Sequence, residues 1–103
     1  MVFQFGTPVV VTARFFDQNG VAVDPTAVRL RLKHRTNAQI LPRVFRYGTD
    51  VEIVKKAVGV YEFQIVPSAS GNWLFRWESD GPDSADEGGF NVRSTPFADA
   101  EQV

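Results

Sequence analysis

The chain has 103 residues, 44% hydrophobic and 13% aromatic, enough to build one core without help from a metal or a disulfide. Eleven basic and twelve acidic side chains leave a formal charge of -1, which excludes a global field that would gather the protein on nucleic acid or an anionic membrane. There is no cysteine, which excludes a disulfide framework and fits folding in a reducing cytosol. The opening MVFQFGTPVV lacks a basic segment followed by a long apolar run. No window approaches the roughly 20 apolar residues of a membrane helix, so a protein of the soluble phase is expected.

Residues 1–6 read as a short N-terminal arm, 7–93 as one domain and 94–103 as a C-terminal tail. From Thr7 to Phe16, Val9, Val11, Ala13 and Phe15 alternate with Val10, Thr12 and Arg14, the two-residue period of a strand with one buried face. Asp17-Gln18-Asn19-Gly20 supplies a turn, and Val21 to Val23 can continue beyond it. Asp24-Pro25-Thr26 breaks the ladder, because Pro25 has no N–H and biases Asp24 toward extended geometry; a sheet switch or edge kink is predicted there.

Ala27 to Lys33 alternates strictly, with Val28, Leu30 and Leu32 inward and Arg29, Arg31 and Lys33 outward. His34 to Ala38 is a polar connection, and Gln39 to Tyr47 returns as a strand with Phe45 and Tyr47 on one face. Tyr47-Gly48-Thr49-Asp50 turns again before a short strand over Val51 to Lys55. Gly59 to Val92 then spells strand, turn, strand, loop, strand. Its apolar faces are Tyr61, Phe63 and Ile65, then Trp73, Phe75 and Trp77, and Asp80 to Glu87 reads as an acidic loop. About seven short strands result, at sandwich-like spacing. Helix is confined to a weak terminal ADAEQV, too short to be stable alone.

Catalytic patterns are hard to assemble from these residues. His34 is the single histidine, so a zinc site would need carboxylates for nearly all its ligands. Asp80, Asp83, Asp86 and Glu87 follow no calcium-loop spacing and read as solvated. Glu52, Glu62 and Glu78 sit at outward strand positions among basic neighbours, where cross-strand ion pairing is a simpler account than glycoside hydrolysis. Trp73 and Trp77 could form a sugar-stacking platform, but with Phe75 between them they read better as core. No cofactor, metal or enzymatic activity is expected, and a hydrolase built on His34 is the least favoured reading.

Interaction residues are easier to name. Arg29, Arg31, Lys33 and Arg35, with Arg43 and Arg46 nearby in the proposed hairpin, form a basic row. Such a row is either the solvated face of a sheet or a surface for an acidic partner. Phe3 and Phe5 in the arm, and Phe97 in the tail, either staple back onto the domain or insert into a neighbour. Open sheet edges offer a further route to a partner. Nucleic-acid binding would need exposed aromatics among the cations and is not expected.

The run Gly59-x-Tyr61-x-Phe63, then Pro67, then Gly71-x-Trp73-x-Phe75, resembles the second half of immunoglobulin-like sandwiches of the filamin-repeat and bacterial Ig-like kind. Over nearly its whole length, including TARFFDQNGVAVDPTAVRLRLK, YGTD and GGFNV, the chain looks like the small Ig-like proteins encoded among the head and tail genes of tailed bacteriophages. That resemblance implies an all-β, immunoglobulin-like antiparallel sandwich of about seven strands. It also implies a virion structural protein, made in the host cytoplasm, that binds capsid or head-tail subunits; a homo-oligomer is compatible with the sequence but not specified by it. The alternative is an Ig-like module that recognises carbohydrate or a host-cell surface through Asp80 to Glu87 and His34 to Ala38.

Overall fold

Alternating apolar side chains decide which segments pair and which face turns inward. In the computed structural model, which describes residues 2–94, eight strands form: β1 (Val2–Gln4), β2 (Val9–Arg14), β3 (Ala27–His34), β4 (Arg43–Arg46), β5 (Ile53–Ala57), β6 (Val60–Ile65), β7 (Gly71–Asp80) and β8 (Ser84–Arg93). No helix forms among the described residues, so none is long and apolar enough to cross a membrane. The strands make a five-stranded sheet in the order β1-β8-β7-β3-β4 and a three-stranded sheet in the order β2-β6-β5. Every pairing is antiparallel except β1 on β8, which is parallel.

The sheets share one core. Val9, Val11, Ala13, Ile53, Tyr61 and Phe63 come from the smaller sheet, and Val28, Leu30, Leu32, Phe45, Trp73, Trp77, Phe90 and Val92 from the larger. Phe45 and Phe63 bridge the layers with ring centroids 4.8 Å apart, both fully buried. Burying each such side chain contributes about 2–3 kcal/mol. The chain leaves the smaller sheet after β2 and enters the larger at β3, so the Asp24-Pro25-Thr26 break is a sheet switch.

Gly59 holds that switch. Its φ of +70° is left-handed, its carbonyl accepts from the Phe15 N–H at 2.8 Å, and its own N–H donates to Asp24 Oδ1 at 2.8 Å. A Cβ there would stand 2.6 Å from the Phe15 carbonyl oxygen, so glycine is required by space as well as by φ. Asp24 also receives Lys55 Nζ at 2.6 Å and the Tyr61 hydroxyl at 3.4 Å. The Lys55 ammonium, followed by the Gly59 N–H, holds the Asp24 carboxyl below the usual carboxylate range.

Four expectations change in detail. An eighth strand appears inside the N-terminal arm: β1 adds to the edge of β8, and Phe3 meets Phe90 edge-on at 6.0 Å, so this end staples back onto the domain. The strand expected over Gln39 to Tyr47 shrinks to β4. Asn37 folds the preceding chain into an Asx turn by accepting from the Gln39 N–H, and Pro42 cannot donate to a ladder. The strand expected over Val51 to Lys55 starts at Ile53, since Asp50 accepts from Arg46 and Ile53 N–H groups and keeps Val51 on a turn, 88% exposed. The acidic loop of Asp80 to Glu87 is instead a β-hairpin tip, with only residues 81–83 outside strands and Asp86 and Glu87 paired to Trp77 and Arg76. Backbone pairing is indifferent to side-chain polarity, and this stretch carries no apolar pattern to reveal it.

Candidate interaction surface

The outward rows of β3, β4, β7 and β8 build the site. Register places Arg29 between Arg46 and Glu78, and Arg31 between Val44 and Arg76, with Glu87 beyond Arg76; Lys33 lies opposite Leu74. Two of these pairs set like charges side by side, Arg29 with Arg46 and Arg31 with Arg76, which by themselves would weaken the sheet.

Glu78 resolves the conflict. Its Oε1 accepts from Arg29 Nε at 2.7 Å and Arg31 Nε at 2.9 Å, and its Oε2 accepts from Arg76 Nε at 2.8 Å. Only 14% of its side chain is exposed. Burial opposes its ionisation and is the largest single influence, yet the hydrogen bonds from Arg31, Arg29 and Arg76 together outweigh it and hold the carboxyl at about 2. Asp80 takes the other end of Arg29 at 3.0 Å, and Glu87 takes Arg76 at 2.6 Å.

Beside this network lies an open groove of about 540 Å³. Val44, Leu74 and Pro42 supply apolar lining, and Arg31, Lys33, Arg43 and Arg76 stand around it with a single lining carboxylate, Glu87. Neither Lys33 nor Arg43 forms an ion pair among the described residues. Gly88 makes room for the Phe75 ring on the inner side of the sheet, since a Cβ on it would lie 2.5 Å from Cζ of Phe75.

The residues singled out from sequence thus divide. Arg29, Arg31, Lys33 and Arg46 do share the outer face. Arg43 falls in register with Leu32 on the edge strand, its guanidinium 4.4 Å from the Phe45 ring centre, and reaches the groove from the side. Arg35 lies past the end of β3, where its N–H donates to the Asn72 carbonyl. Phe3 is half-buried, Phe5 is 39% exposed, and Phe97 lies outside the described residues. Of the carboxylates expected to balance the basic row, only Glu78 does so; Glu62 is on the other sheet, 4.0 Å from Lys56.

Sequence reasoning missed Leu74, Arg76 and Glu87 as members of the site. The outward alternation of Leu74 and Arg76 on β7 was visible, but Glu87 read as part of a loop, and the register that brings Arg76 beside Arg31 and Glu87 was not visible.

Several alternatives lose their material. Trp73 and Trp77 are 5% and 2% exposed and belong to the core, so they offer no stacking platform. His34 is committed to loop structure: Nδ1 accepts from the Thr36 and Asn37 N–H groups, which puts the proton on Nε2, and that donates to the Ser70 carbonyl at 2.8 Å. No cluster of three or more metal-ligating side chains forms among the described residues. No family model, curated protein or solved structure matches the chain.

Proposed function

We propose that this chain is an immunoglobulin-like sandwich acting as a non-enzymatic assembly module: a decoration or accessory protein of a tailed-phage virion that binds capsid or head-tail subunits. Strand order supports the fold part of that reading, since β8-β7-β3-β4 facing β2-β6-β5 corresponds to G-F-C-C′ facing B-E-D in immunoglobulin-type domains. The functional part rests on one observation. The outer face of the five-stranded sheet joins an apolar lining at Val44 and Leu74 to a surplus of cations, on a chain whose overall charge is slightly negative. An apolar patch with a charged rim is the anatomy of a protein-binding surface. Many modest contacts of this kind gain strength when repeated on a lattice.

Quantitative mass spectrometry of purified particles from the phage or strain carrying the gene tests this proposal. A copy number near that of the major capsid subunit supports decoration, and a small ring-like number supports a head-tail position. Absence from particles overturns the virion reading and turns attention to a glycan or host-surface ligand.

A further inference from the structure

Charge complementarity between the groove and one segment of the same chain suggests what occupies it. The groove is lined by four cations and one carboxylate. Residues 95–101 read TPFADAE, an aromatic side chain at Phe97 followed by two carboxylates, Asp99 and Glu101, with no basic residue. We propose that the groove receives this segment from a second copy of the chain, with Phe97 on the Val44 and Leu74 lining and the two carboxylates against Lys33, Arg43 and Arg76. The inference rests on that face being a docking surface, but not on the virion assignment.

Reach decides for a second copy over the chain's own tail. Gly89 lies opposite Leu74 at the near end of the groove, and the five-residue step along β8 to Ser94 covers about 16 Å. The three residues from Ser94 to Phe97 span at most about 11 Å when fully extended. That leaves the Phe97 backbone about 5 Å short of the Leu74 row, a gap its ring can bridge, but Val44 lies in the row of Glu87, seven residues or about 23 Å back along β8 and three strands across, so Phe97 cannot cover the Val44 and Leu74 lining of its own domain. Tail and groove are different surfaces, so the contact is heterologous, and repetition builds closed rings or open chains instead of stopping at a dimer. Lys33 and Arg43 have no ion pair to give up among the described residues, whereas at Arg76 an incoming carboxylate competes with Glu78 and Glu87.

Sedimentation velocity of the full chain over a concentration series tests the proposal, with Leu74→Asp as the groove variant and Phe97→Ala as the tail variant. The wild type should gain mass beyond a dimer as concentration rises, and rising salt should weaken assembly, because the cations are solvent-exposed. Each variant alone should remain monomeric at concentrations where the wild type assembles. An equimolar mixture should give a 1:1 dimer and nothing larger, because one intact tail meets one intact groove. Lys33→Glu, at an exposed position, serves as a second groove variant if circular dichroism shows Leu74→Asp misfolded. A wild type that is monomeric up to about 1 mM, weaker than any useful affinity, overturns the inference. So do variants that still assemble, or a mixture that stays monomeric. None of these outcomes bears on whether the chain is found in particles.

Discussion

Glu78 shows how one side chain can govern a face. It is the common acceptor for three arginines, two of which face each other across the β3-β7 ladder, so removing its charge leaves them with no shared counter-ion. Glu78→Gln keeps the shape and should cost about 1–2 kcal/mol at neutral pH, a range kept low because the guanidiniums are partly exposed. The folded-state value of about 2 lies below the ordinary 4.5, so this contribution is present in full above roughly pH 4.5 and disappears as pH falls toward 2. Urea denaturation of both proteins should show the gap between them narrowing from pH 7 to pH 2.5. A gap that stays constant would mean that the carboxylate's ionisation contributes nothing. Gly59 is the backbone counterpart: Gly59→Ala should lose about 2 kcal/mol or more, from the left-handed φ and the approach to the Phe15 carbonyl, and a loss below about 0.5 kcal/mol would contradict that account.

At the level of elements, β1 is where local sequence and tertiary structure part company. Three residues cannot announce a strand by periodicity; this one exists because β8 offers an unpaired edge and Phe90 offers Phe3 a ring to pack on. Deleting residues 1–6 should therefore lower stability by about 1–3 kcal/mol through the lost burial of Phe3, and expose the β8 edge. Thermal melts should show a lower midpoint with retained β signal, and light scattering should show more aggregation; an unchanged midpoint would mean that β1 contributes no stability. By contrast β2, β3, β6 and β7 were legible, because Val9 to Phe15, Val28 to Leu32, Tyr61 to Ile65 and Trp73 to Trp77 each carry an unbroken apolar alternation against a mostly polar face. The first half of β8 was not, since Ser84 to Glu87 is held by backbone bonds to β7 and has no apolar residue at the inward Asp86. Turns set by a single side chain were also hidden: Asn37 and Asp50 shorten β4 and delay β5 through hydrogen bonds that composition does not disclose.

Over the whole molecule, the groove exists only because residues distant in sequence fall into register, Arg31 and Val44 with Arg76 and Glu87, so its cations could be named from the sequence but their shared lining could not. Keeping that register is the work of the shared core beneath it. Among the described residues the three-stranded sheet has no cover other than the inner face of the larger sheet, and Trp73 and Trp77 on that inner face are packed in the same cluster as Phe63 and Tyr61 from the smaller one. Neither layer retains a buried face if the other departs, so the sheets should unfold together. Tryptophan emission, which reports the larger sheet, and far-ultraviolet circular dichroism, which reports both, should trace one coincident urea transition with a slope of about 1–2 kcal/mol/M. Should dichroism instead fall before the emission changes, the smaller sheet would be opening on its own. The spacing of Arg31, Lys33 and Arg76 around the groove would then have to be maintained within the five-stranded sheet, by Glu78 and the β3-β7-β8 ladders, and not by the sandwich as a whole.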